Sequence, residues 1–421
     1  MMERLRARLA LWFFAHFFRL LLLVASLSEW VVFWWVWPQR NTLPAAAWVC
    51  GPALIYAVNR WITLRSQRRR FLGGGTNSGP VQRLYYAAVF TSLFCVLVLL
   101  ATGTLWLVTK VFVGALTAEA RGVHVPTAID SSVNTAFRWL ADAGMAGVMV
   151  SFMYGYTVGQ LRIRVRRMRL PLRDWPAALD GLRIVQISDI HIGQNLEPAQ
   201  LDNFVERVNA LAPDLICITG DIIDSPAADM AGFLPILARL TALHGVFAIL
   251  GNHDHYAGAD AVERALRRLT PFTVLRDQHV TADIRGARLH IIGVDDRGRD
   301  WARGVVSVPY LSAALAAVPA GEPLLLLSHR PDLFPQAAPR VALMLSGHTH
   351  GGQLGIPWFN GRVRNLAEFI TAFDRGLFER NGAYLYVNCG LGVTGQRIRL
   401  STPREITVIE AAAAPSGAQA A

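Results

Sequence analysis

The chain has 421 residues, of which 53% are hydrophobic and only 17% are charged. This composition excludes a disordered or fibrous protein, and the length is enough for roughly two to three domains. Residues 1–170 contain 19 Lys and Arg against 5 Asp and Glu, whereas residues 171–421 contain 22 against 25. The C-terminal part lacks the cationic surplus with which nucleic-acid-binding domains neutralise phosphates, so we expect no nucleic-acid partner.

The first 160 residues contain four apolar stretches that approach or exceed the roughly 20 residues a helix needs to cross a bilayer. A cleaved signal peptide is the alternative for the first stretch, but its apolar part is too long and too aromatic for one. Arg19 and Glu29 interrupt this stretch, and we interpret them as helix-packing residues rather than as a transport site. The sequence therefore predicts a transmembrane region of about four helices over residues 1–160, at about 9–37, 43–62, 84–108 and 139–158.

The basic residues of this region alternate along the chain. Successive flanks and loops carry 3, 1, 5, 2 and 5 Lys and Arg. By the positive-inside rule, this predicts a multi-pass protein of the inner or plasma membrane with both termini and the C-terminal domain on the cytoplasmic side. Arg68–Leu72 resembles a twin-arginine export signal, but it follows two predicted spans, and we interpret it as a positive-inside loop.

Residues 161–180 form a basic segment between the membrane region and the rest of the chain. Apolar and basic residues alternate from Leu161 to Arg166, which predicts a β-strand with one solvated face. The alternative is that these arginines contact anionic lipid headgroups. Asp180-Gly181 then predicts a turn at the start of the next domain, over residues 181–410.

In this domain, short apolar runs end in polar clusters, and helix-like segments at 198–211 and 260–269 separate the first runs. The alternation predicts a largely parallel or mixed α/β sheet, in which the carboxyl ends of the strands share one ligand-binding edge. Further strand-like runs would complete two packed sheets, and residues 411–421 predict a disordered tail. Five runs end in polar clusters, at Ser188–His191, Thr219–Asp221, Gly251–Asp254, Ser328–His329 and Ser346–His350.

The chemistry of these five clusters indicates a metal site. A single buried His is more often a core residue, but an ordered set of Asp, Asn and His at five strand ends is hard to explain as packing. Oxygen and imidazole donors without cysteine suit Mn, Fe or Zn and disfavour a structural thiolate zinc site. Seven such donors exceed what one ion needs, which predicts two ions that share a carboxylate.

The ordered motifs resemble those of the calcineurin-like metallophosphoesterase superfamily over about residues 181–410. His350-Gly351-Gly352-Gln353 and Gly390-Leu391-Gly392, together with the apolar N-terminal region, resemble the membrane-anchored branch of that superfamily. The resemblance implies a four-layer α/β/β/α metallophosphoesterase sandwich, preceded here by the transmembrane helices. It also implies a dinuclear centre of two divalent metal ions and the hydrolysis of phosphoesters by metal-activated water.

The resemblance further implies a role for individual residues. His253 corresponds to the general acid that protonates the leaving group, and Asp254 to the residue that orients it; a structural His at position 253 is the alternative. Arg330 and His255 are weaker candidates for substrate binding, and Asp295-Asp296 corresponds to no family ligand and predicts a turn. The implied metal ligands are Asp189, His191 and His350 for the first ion, Asn252, His329 and His348 for the second, and Asp221 for both.

The expected activity is that of a membrane-anchored phosphodiesterase or pyrophosphatase. A phosphomonoesterase or protein phosphatase with the same centre is the alternative, and a non-enzymatic membrane sensor or transporter is disfavoured because no ligand of the set is missing. Only about 20 residues separate the last predicted span from Gly181. This short tether favours a lipid-linked phosphoester, such as a nucleotide-diphosphate lipid, because it raises the effective concentration of substrates in the same membrane. A general phosphoesterase that the spans only localise is the alternative.

Overall fold

The computed structural model describes residues 2–37, 42–71, 80–119, 127–226, 228–296, 309–358 and 362–413. It divides into two compact units, and the boundary lies between Tyr154 and Gly155, six residues before the boundary expected from the sequence. The first unit is helical and the second is a mixed α/β unit.

The first unit consists of four long helices, and two of them contain a stretch long and apolar enough to cross a bilayer. These stretches are Arg19–Val36 and Val81–Ala115. Within the described residues, the second and fourth helices contain no stretch that is both long and apolar enough to cross a bilayer, because polar residues such as Asn59, Arg60 and Asp142 interrupt them. Two of the four predicted spans are thus supported. The helices are α1 (Met2–Val36), α2 (Ala47–Phe71), α3 (Pro80–Glu119) and α4 (Thr127–Thr157).

Hydrogen bonds between these helices explain two of the acidic residues in the apolar stretches. Asn59 Nδ2 of α2 donates to Glu29 Oε2 of α1 at 2.6 Å, and Trp35 Nε1 of α1 donates to Asp142 Oδ1 of α4 at 2.6 Å. Polar side chains that bond across helices contribute to packing where water is scarce. Glu29 therefore has the packing contact that its position in the sequence predicts.

The second unit contains two six-stranded sheets and a small hairpin. The strands of the first sheet are β1 (Ile163–Leu172), β2 (Leu182–Ile187), β3 (Leu215–Thr219), β4 (Val246–Ile249), β5 (Thr273–Val274) and β14 (Arg404–Ala413). Those of the second are β6 (Gln278–Ile284), β7 (Ala287–Gly293), β8 (Leu324–Leu327), β9 (Leu343–Ser346), β12 (Gly376–Arg380) and β13 (Ala383–Val387). The first sheet has the order β1-β14-β2-β3-β4-β5, and the second has the order β12-β13-β9-β8-β7-β6. The hairpin joins β10 (Gly355–Pro357) to β11 (Val363–Asn365).

Three buried apolar clusters hold these elements together. One contains residues of both sheets, such as Ile184 and Cys217 from the first and Leu325 and Leu345 from the second. A second cluster packs α5 (Pro198–Asn209), α6 (Met230–Leu237) and α7 (Asn252–Leu269) on the first sheet. The third packs α8 (Pro309–Ala317) and α9 (Phe334–Ala337) on the second sheet.

The basic segment after the helices is an edge strand of the first sheet. β1 pairs in parallel with β14, from Ile163 opposite Arg404 to Leu172 opposite Ala413. The alternation at its start places Arg164 and Arg166 on the exposed face, as the period of two predicts. The expected tail boundary at residue 411 is wrong, because Ala411–Ala413 complete β14 by pairing with β1; residues 414–421 lie outside the described residues.

Candidate metal centre

The seven predicted metal ligands all follow the carboxyl ends of strands. The strands β2, β3 and β4 are parallel, as are β8 and β9, so the loops after them lie at the same edge of their sheets. His329 Nδ1, after β8, lies 2.8 Å from the carbonyl oxygen of Thr219 at the end of β3, which joins the two edges. Six of the seven are buried and His348 is half-buried; the set is Asp189, His191, Asp221, Asn252, His329, His348 and His350.

Five of these residues have a left-handed backbone conformation. Non-glycine residues rarely adopt positive φ, and such conformations persist only where the surrounding structure fixes them, most often at functional sites. Here each follows the end of a strand, where the chain must turn sharply. The φ angles are 49° for Asp189, 51° for His191, 51° for Asp221, 71° for His348 and 52° for His350.

Two glycines allow the loops to approach each other this closely. Gly220 has φ 88°, and a Cβ atom there would collide with His329 Nδ1 and with the backbone nitrogen of Gly251. A Cβ atom on Gly347 would collide with the side chains of Ser188 and Asp189. A side chain at either position would push the strand ends apart.

The side chains form three overlapping donor groups in which all the potential ligand atoms lie within 4.8 Å of one another. Asp189, His191 and His350 form the first, with His191 Nε2 3.0 Å from His350 Nε2 and His350 Nε2 3.3 Å from Asp189 Oδ1. The third group joins Asp221 to His329 and His348. The middle group consists of His191, Asp221 and His253.

Asp221 belongs to two of these groups and lies between the other ligands. Its Oδ2 atom is 3.6 Å from His191 Nε2 and 3.3 Å from His329 Nε2. Burial alone would raise the pKa of Asp221, but the adjacent His329 and His191 hold it well below its usual range. The structure therefore places a buried carboxylate where the sequence predicts a ligand shared by two ions.

Asn252, His348 and His350 have properties expected of ligands to a divalent cation. Asn252 Oδ1 is buried and has no hydrogen-bond partner among the described residues, an arrangement that is costly unless the atom binds a ligand. Burial lowers the pKa of His348 and of His350 well below the usual range, and nearby positive groups lower it further. Both imidazoles are thus neutral, the form in which histidine binds metals.

His253 adjoins this cluster and contacts a carboxylate that the sequence analysis did not select. Its Nδ1 atom lies 3.3 Å from Asp224 Oδ1 and 3.2 Å from the Asp224 carbonyl oxygen. Burial alone would lower the pKa of His253, but the hydrogen bond to Asp224 and the charges of Asp221 and Asp224 raise it to about 9. The contacts with Asp224 and Asp221 thus favour the protonated form of His253.

The orienting role predicted for Asp254 is wrong. Its carboxylate accepts hydrogen bonds from the backbone nitrogens of Gly251, Ile222 and Ile223 at 2.8, 3.2 and 2.7 Å, whereas the His253 ring contacts Asp224 instead. Asp254 is the third residue of α7, so its side chain points back along the helix to those amides. It ties the loop after β3 to the loop after β4.

Asp224 has the contacts expected of the orienting residue. Besides His253, its Oδ1 atom lies 3.1 Å from His191 Nδ1, the ring nitrogen opposite to the one in the donor group. Metal-binding histidines commonly direct their other nitrogen at a carboxylate in this way. The available signal in the sequence was a second Asp three residues after Asp221.

A family model described as calcineurin-like phosphoesterase matches residues 182–352. The metallophosphoesterase YkuE of Bacillus subtilis is 34% identical over 239 residues, which cover 55% of this chain and 80% of that protein. The chain belongs to the calcineurin-like phosphoesterase family. Two further relatives are each named transmembrane protein with metallophosphoesterase domain: the Bos taurus protein is 30% identical, covering 60% of this chain and 57% of its own length, and the Danio rerio protein is 29% identical, covering 70% and 67%.

The two predicted substrate-binding residues of this phosphoesterase are held beside the cluster by other side chains. Arg330 donates from Nε to Asp296 Oδ2 at 2.9 Å, and its Nη1 lies 3.1 Å from His348 Nε2. His255 Nε2 lies 2.8 Å from Asp295 Oδ1. Asp295 and Asp296 are thus more than turn residues, because their buried carboxylates bind the two candidates.

A buried arginine that the sequence motifs did not indicate contacts the first donor group through His350. The Arg399 side chain is fully buried, and its Nη2 donates to the carbonyl oxygens of Gly390 and Gly392 at 3.1 and 2.6 Å. The same nitrogen lies 3.4 Å from His350 Nδ1. Arg399 therefore fixes the Gly-rich loop that packs against Asp189 and His350.

Substitution of Asp224 and of Asp254 should have different effects. We expect Asp224→Asn to lower turnover or metal affinity about 10–100-fold, since it weakens the carboxylate that contacts His191 and His253, with little change in stability. Asp254→Asn should lower the free energy of unfolding by about 1–3 kcal/mol, because an amide cannot accept from all three backbone nitrogens. Denaturant unfolding and phosphoesterase assays of both variants would measure this. Equal stability of Asp254→Asn and the wild type, with turnover lost as in Asp224→Asn, would contradict the assignment.

Proposed function

We propose that this chain is a membrane-anchored phosphoesterase with two divalent metal ions, acting on phosphodiesters or pyrophosphates. The observation that carries the proposal is the pair of donor groups, Asp189–His191–His350 and Asp221–His329–His348, to which Asn252 adds the seventh residue of the predicted set. Family membership supports metal-dependent hydrolysis of phosphoesters, and the number of ions and the diester preference are our proposal.

The first group would hold one ion and the second group the other. Asp221 would contact both, and Asn252 Oδ1, which has no partner among the described residues, would complete the second site. Oxygen and imidazole donors without cysteine favour Mn, Fe or Zn over ions that prefer thiolates. Bound divalent cations neutralise the charge of a phosphoester and lower the pKa of bound water.

His253 is suited to deliver a proton. Because Nδ1 faces Asp224, Nε2 is the nitrogen that remains to protonate the leaving oxygen. Asp224 stabilises the charged form of the ring and fixes its orientation. A leaving alkoxide is a strong base, so a proton donor at this position would lower the barrier to its departure.

The activity test uses the purified full-length chain and bis-p-nitrophenyl phosphate. We expect hydrolysis in the presence of Mn²⁺ and its loss on addition of EDTA, because the donor groups need cations to neutralise the substrate. p-Nitrophenyl phosphate at equal metal loading separates a diesterase from a phosphomonoesterase. A metal-loaded preparation that cleaves neither ester would refute the proposed activity.

Ligand and proton donor can be separated by substitution. His253→Ala should retain about two ions per chain and lose about 10²–10⁴-fold in turnover, the usual contribution of general acid–base catalysis. Asp221→Ala should lose metal, because it removes a donor from both groups. Metal analysis after gel filtration, together with turnover, checks this. If His253→Ala loses metal as readily as Asp221→Ala, then His253 is a ligand, as its place in the middle donor group would allow.

We further propose that the first unit anchors the enzyme through four spans, with the catalytic unit on the cytoplasmic side. The two candidate spans and the alternating loop charges support this, as do the relatives named transmembrane proteins. The alignment with the Danio rerio protein is longer than the second unit, so it extends into the first unit. The three apolar clusters likewise support a four-layer α/β/β/α sandwich for the second unit.

The proposed substrate is a lipid-linked phosphoester. Five residues separate the end of α4 at Thr157 from the start of β1 at Ile163, so the tether between the membrane region and the catalytic unit is short. A short tether favours substrates in the same membrane through effective concentration.

A metal-supplemented screen tests the substrate class. We expect lipid-linked phosphoesters in mixed micelles, including a nucleotide-diphosphate lipid, to be turned over faster than soluble nucleotides with the same phosphoester bond. The soluble compounds are the matched control, since they offer the same bond without the lipid. Equal or faster turnover of the soluble compounds would refute the lipid-linked substrate and leave the phosphoesterase assignment intact.

A further inference from the structure

An arginine-lined cavity lies at the margin of the second unit, outside the donor groups. Its volume is about 960 Å³, and it is bounded by the edge strands β1 and β12, by the β10–β11 hairpin and by the loop before β14. Five arginines line it: Arg164, Arg166, Arg362, Arg364 and Arg375.

The cavity carries an excess of positive charge. Three acidic residues also line it, but Arg364 pairs with Glu368 at 2.9 Å, and Asp374 lies 3.6 Å from Arg375. The third, Glu405, accepts a hydrogen bond from the Tyr386 hydroxyl at 2.7 Å. Within the part of the chain that the structure describes, Arg164 and Arg166 have no acidic partner. They are therefore available to an anion.

Exposed apolar residues lie close in the chain to residues that line this cavity. From Gly155 onward, ten large apolar residues are exposed among the described residues, and six of them lie between Ile356 and Leu377. Phe369 and Ile370 are 84% and 83% exposed, and they stand in the chain between Glu368 and Thr371, which line the cavity. We call the following five residues the apolar patch: Ile356, Trp358, Leu366, Phe369 and Ile370.

The apolar patch and the cavity arise from the same short segment. Ile356 on β10 is paired with Arg364 on β11, so an apolar residue and a cavity arginine are neighbours across the hairpin. Soluble proteins seldom expose such clusters unless they bind a partner there. Aromatic and aliphatic side chains next to arginines are typical of surfaces that enter the headgroup layer of a bilayer, and basic pockets bind lipid headgroups.

We propose that this surface docks on an anionic lipid bilayer, with a headgroup phosphate in the arginine-lined cavity and the apolar patch at the boundary of the acyl chains. Guanidinium groups donate two parallel hydrogen bonds to phosphate oxygens, and Arg164 and Arg166 supply the unpaired charge. A soluble anion would use the arginines and leave the apolar patch in water. A protein partner would have no general need for a cationic cavity beside the apolar patch. The charge and the apolar side chains together favour the bilayer.

Docking in this way would bring the ligand-bearing edge to the lipid surface. The cavity residue Cys389 follows β13, whose parallel neighbour β9 leads to His348 and His350. A Cβ atom on Gly351, next to His350, would contact Cys389 and Arg375. The cavity and the first donor group are therefore separated by a single turn of the chain. The docking proposal does not depend on the catalytic one, because it concerns binding alone.

Spin labelling of the full-length chain in nanodiscs tests this. A nitroxide at Phe369→Cys, in a Cys50→Ser background that removes the exposed native cysteine, reports contact with lipid through collisions with oxygen rather than with a water-soluble nickel complex. Leu243→Cys is the matched control, since Leu243 is 72% exposed and lies outside the apolar patch. We expect lipid contact at position 369 in nanodiscs that contain phosphatidylglycerol, less contact in pure phosphatidylcholine, and water exposure at position 243 in both.

Charge reversal on neighbouring residues of β1 separates a specific cavity from general attraction. Arg166→Glu should reduce the lipid-contacting fraction of the label at position 369 about fivefold in anionic nanodiscs. Arg167→Glu, which makes the same change in net charge on an exposed residue outside the cavity, should leave that fraction nearly unchanged. The proposal is overturned by equal effects of the two substitutions, by equal contact in the two lipids, or by a label at position 369 that is as water-exposed as the one at position 243. A label shielded from both collision reagents would indicate a protein partner and would also overturn it.

Discussion

The central constraint on the catalytic unit is the burial of charged and polar donors at one edge of its sheets. Asp189 and Asp221 are buried carboxylates with buried histidines around them, and the oxygen of Asn252 lacks a partner among the described residues. Such a cluster is costly without compensating charge. Divalent cations supply that charge, so the arrangement is one that metal binding would stabilise.

This constraint explains the unusual backbone around the site. The chain must turn within a few residues of the strand ends, and five predicted ligands have the left-handed conformation there. Gly220 and Gly347 leave room for the loops to meet, and Asp254 ties two of those loops together through backbone nitrogens. Packing between the sheets thus offsets the cost of these left-handed backbone conformations, and the donor atoms are held at fixed positions.

The arginines of the chain lie in different environments. Arg399 is buried and donates to the carbonyl oxygens of Gly390 and Gly392 next to His350, whereas Arg164 and Arg166 are exposed on an edge strand and line a cavity. Arginine suits both settings, because its guanidinium keeps its charge and donates in several fixed directions. Position in the fold, rather than residue type, separates the structural arginines from those available to a ligand.

The sequence alone determined the α/β class, most strands of the two sheets and the positions of seven candidate donors after strand ends, because hydrophobic runs and the polar clusters after them are local patterns. It also indicated membrane association, although polar residues such as Asn59 and Asp142 leave two of the four expected spans unsupported by hydropathy. Only the tertiary structure decided that Asp224, and not Asp254, contacts His253. It also decided that residues 163–172 and 411–413 pair in one sheet, and that the arginines of β1 face those of the β10–β11 region across a cavity. These outcomes depend on where side chains point and on contacts between segments hundreds of residues apart, and local sequence patterns do not encode either.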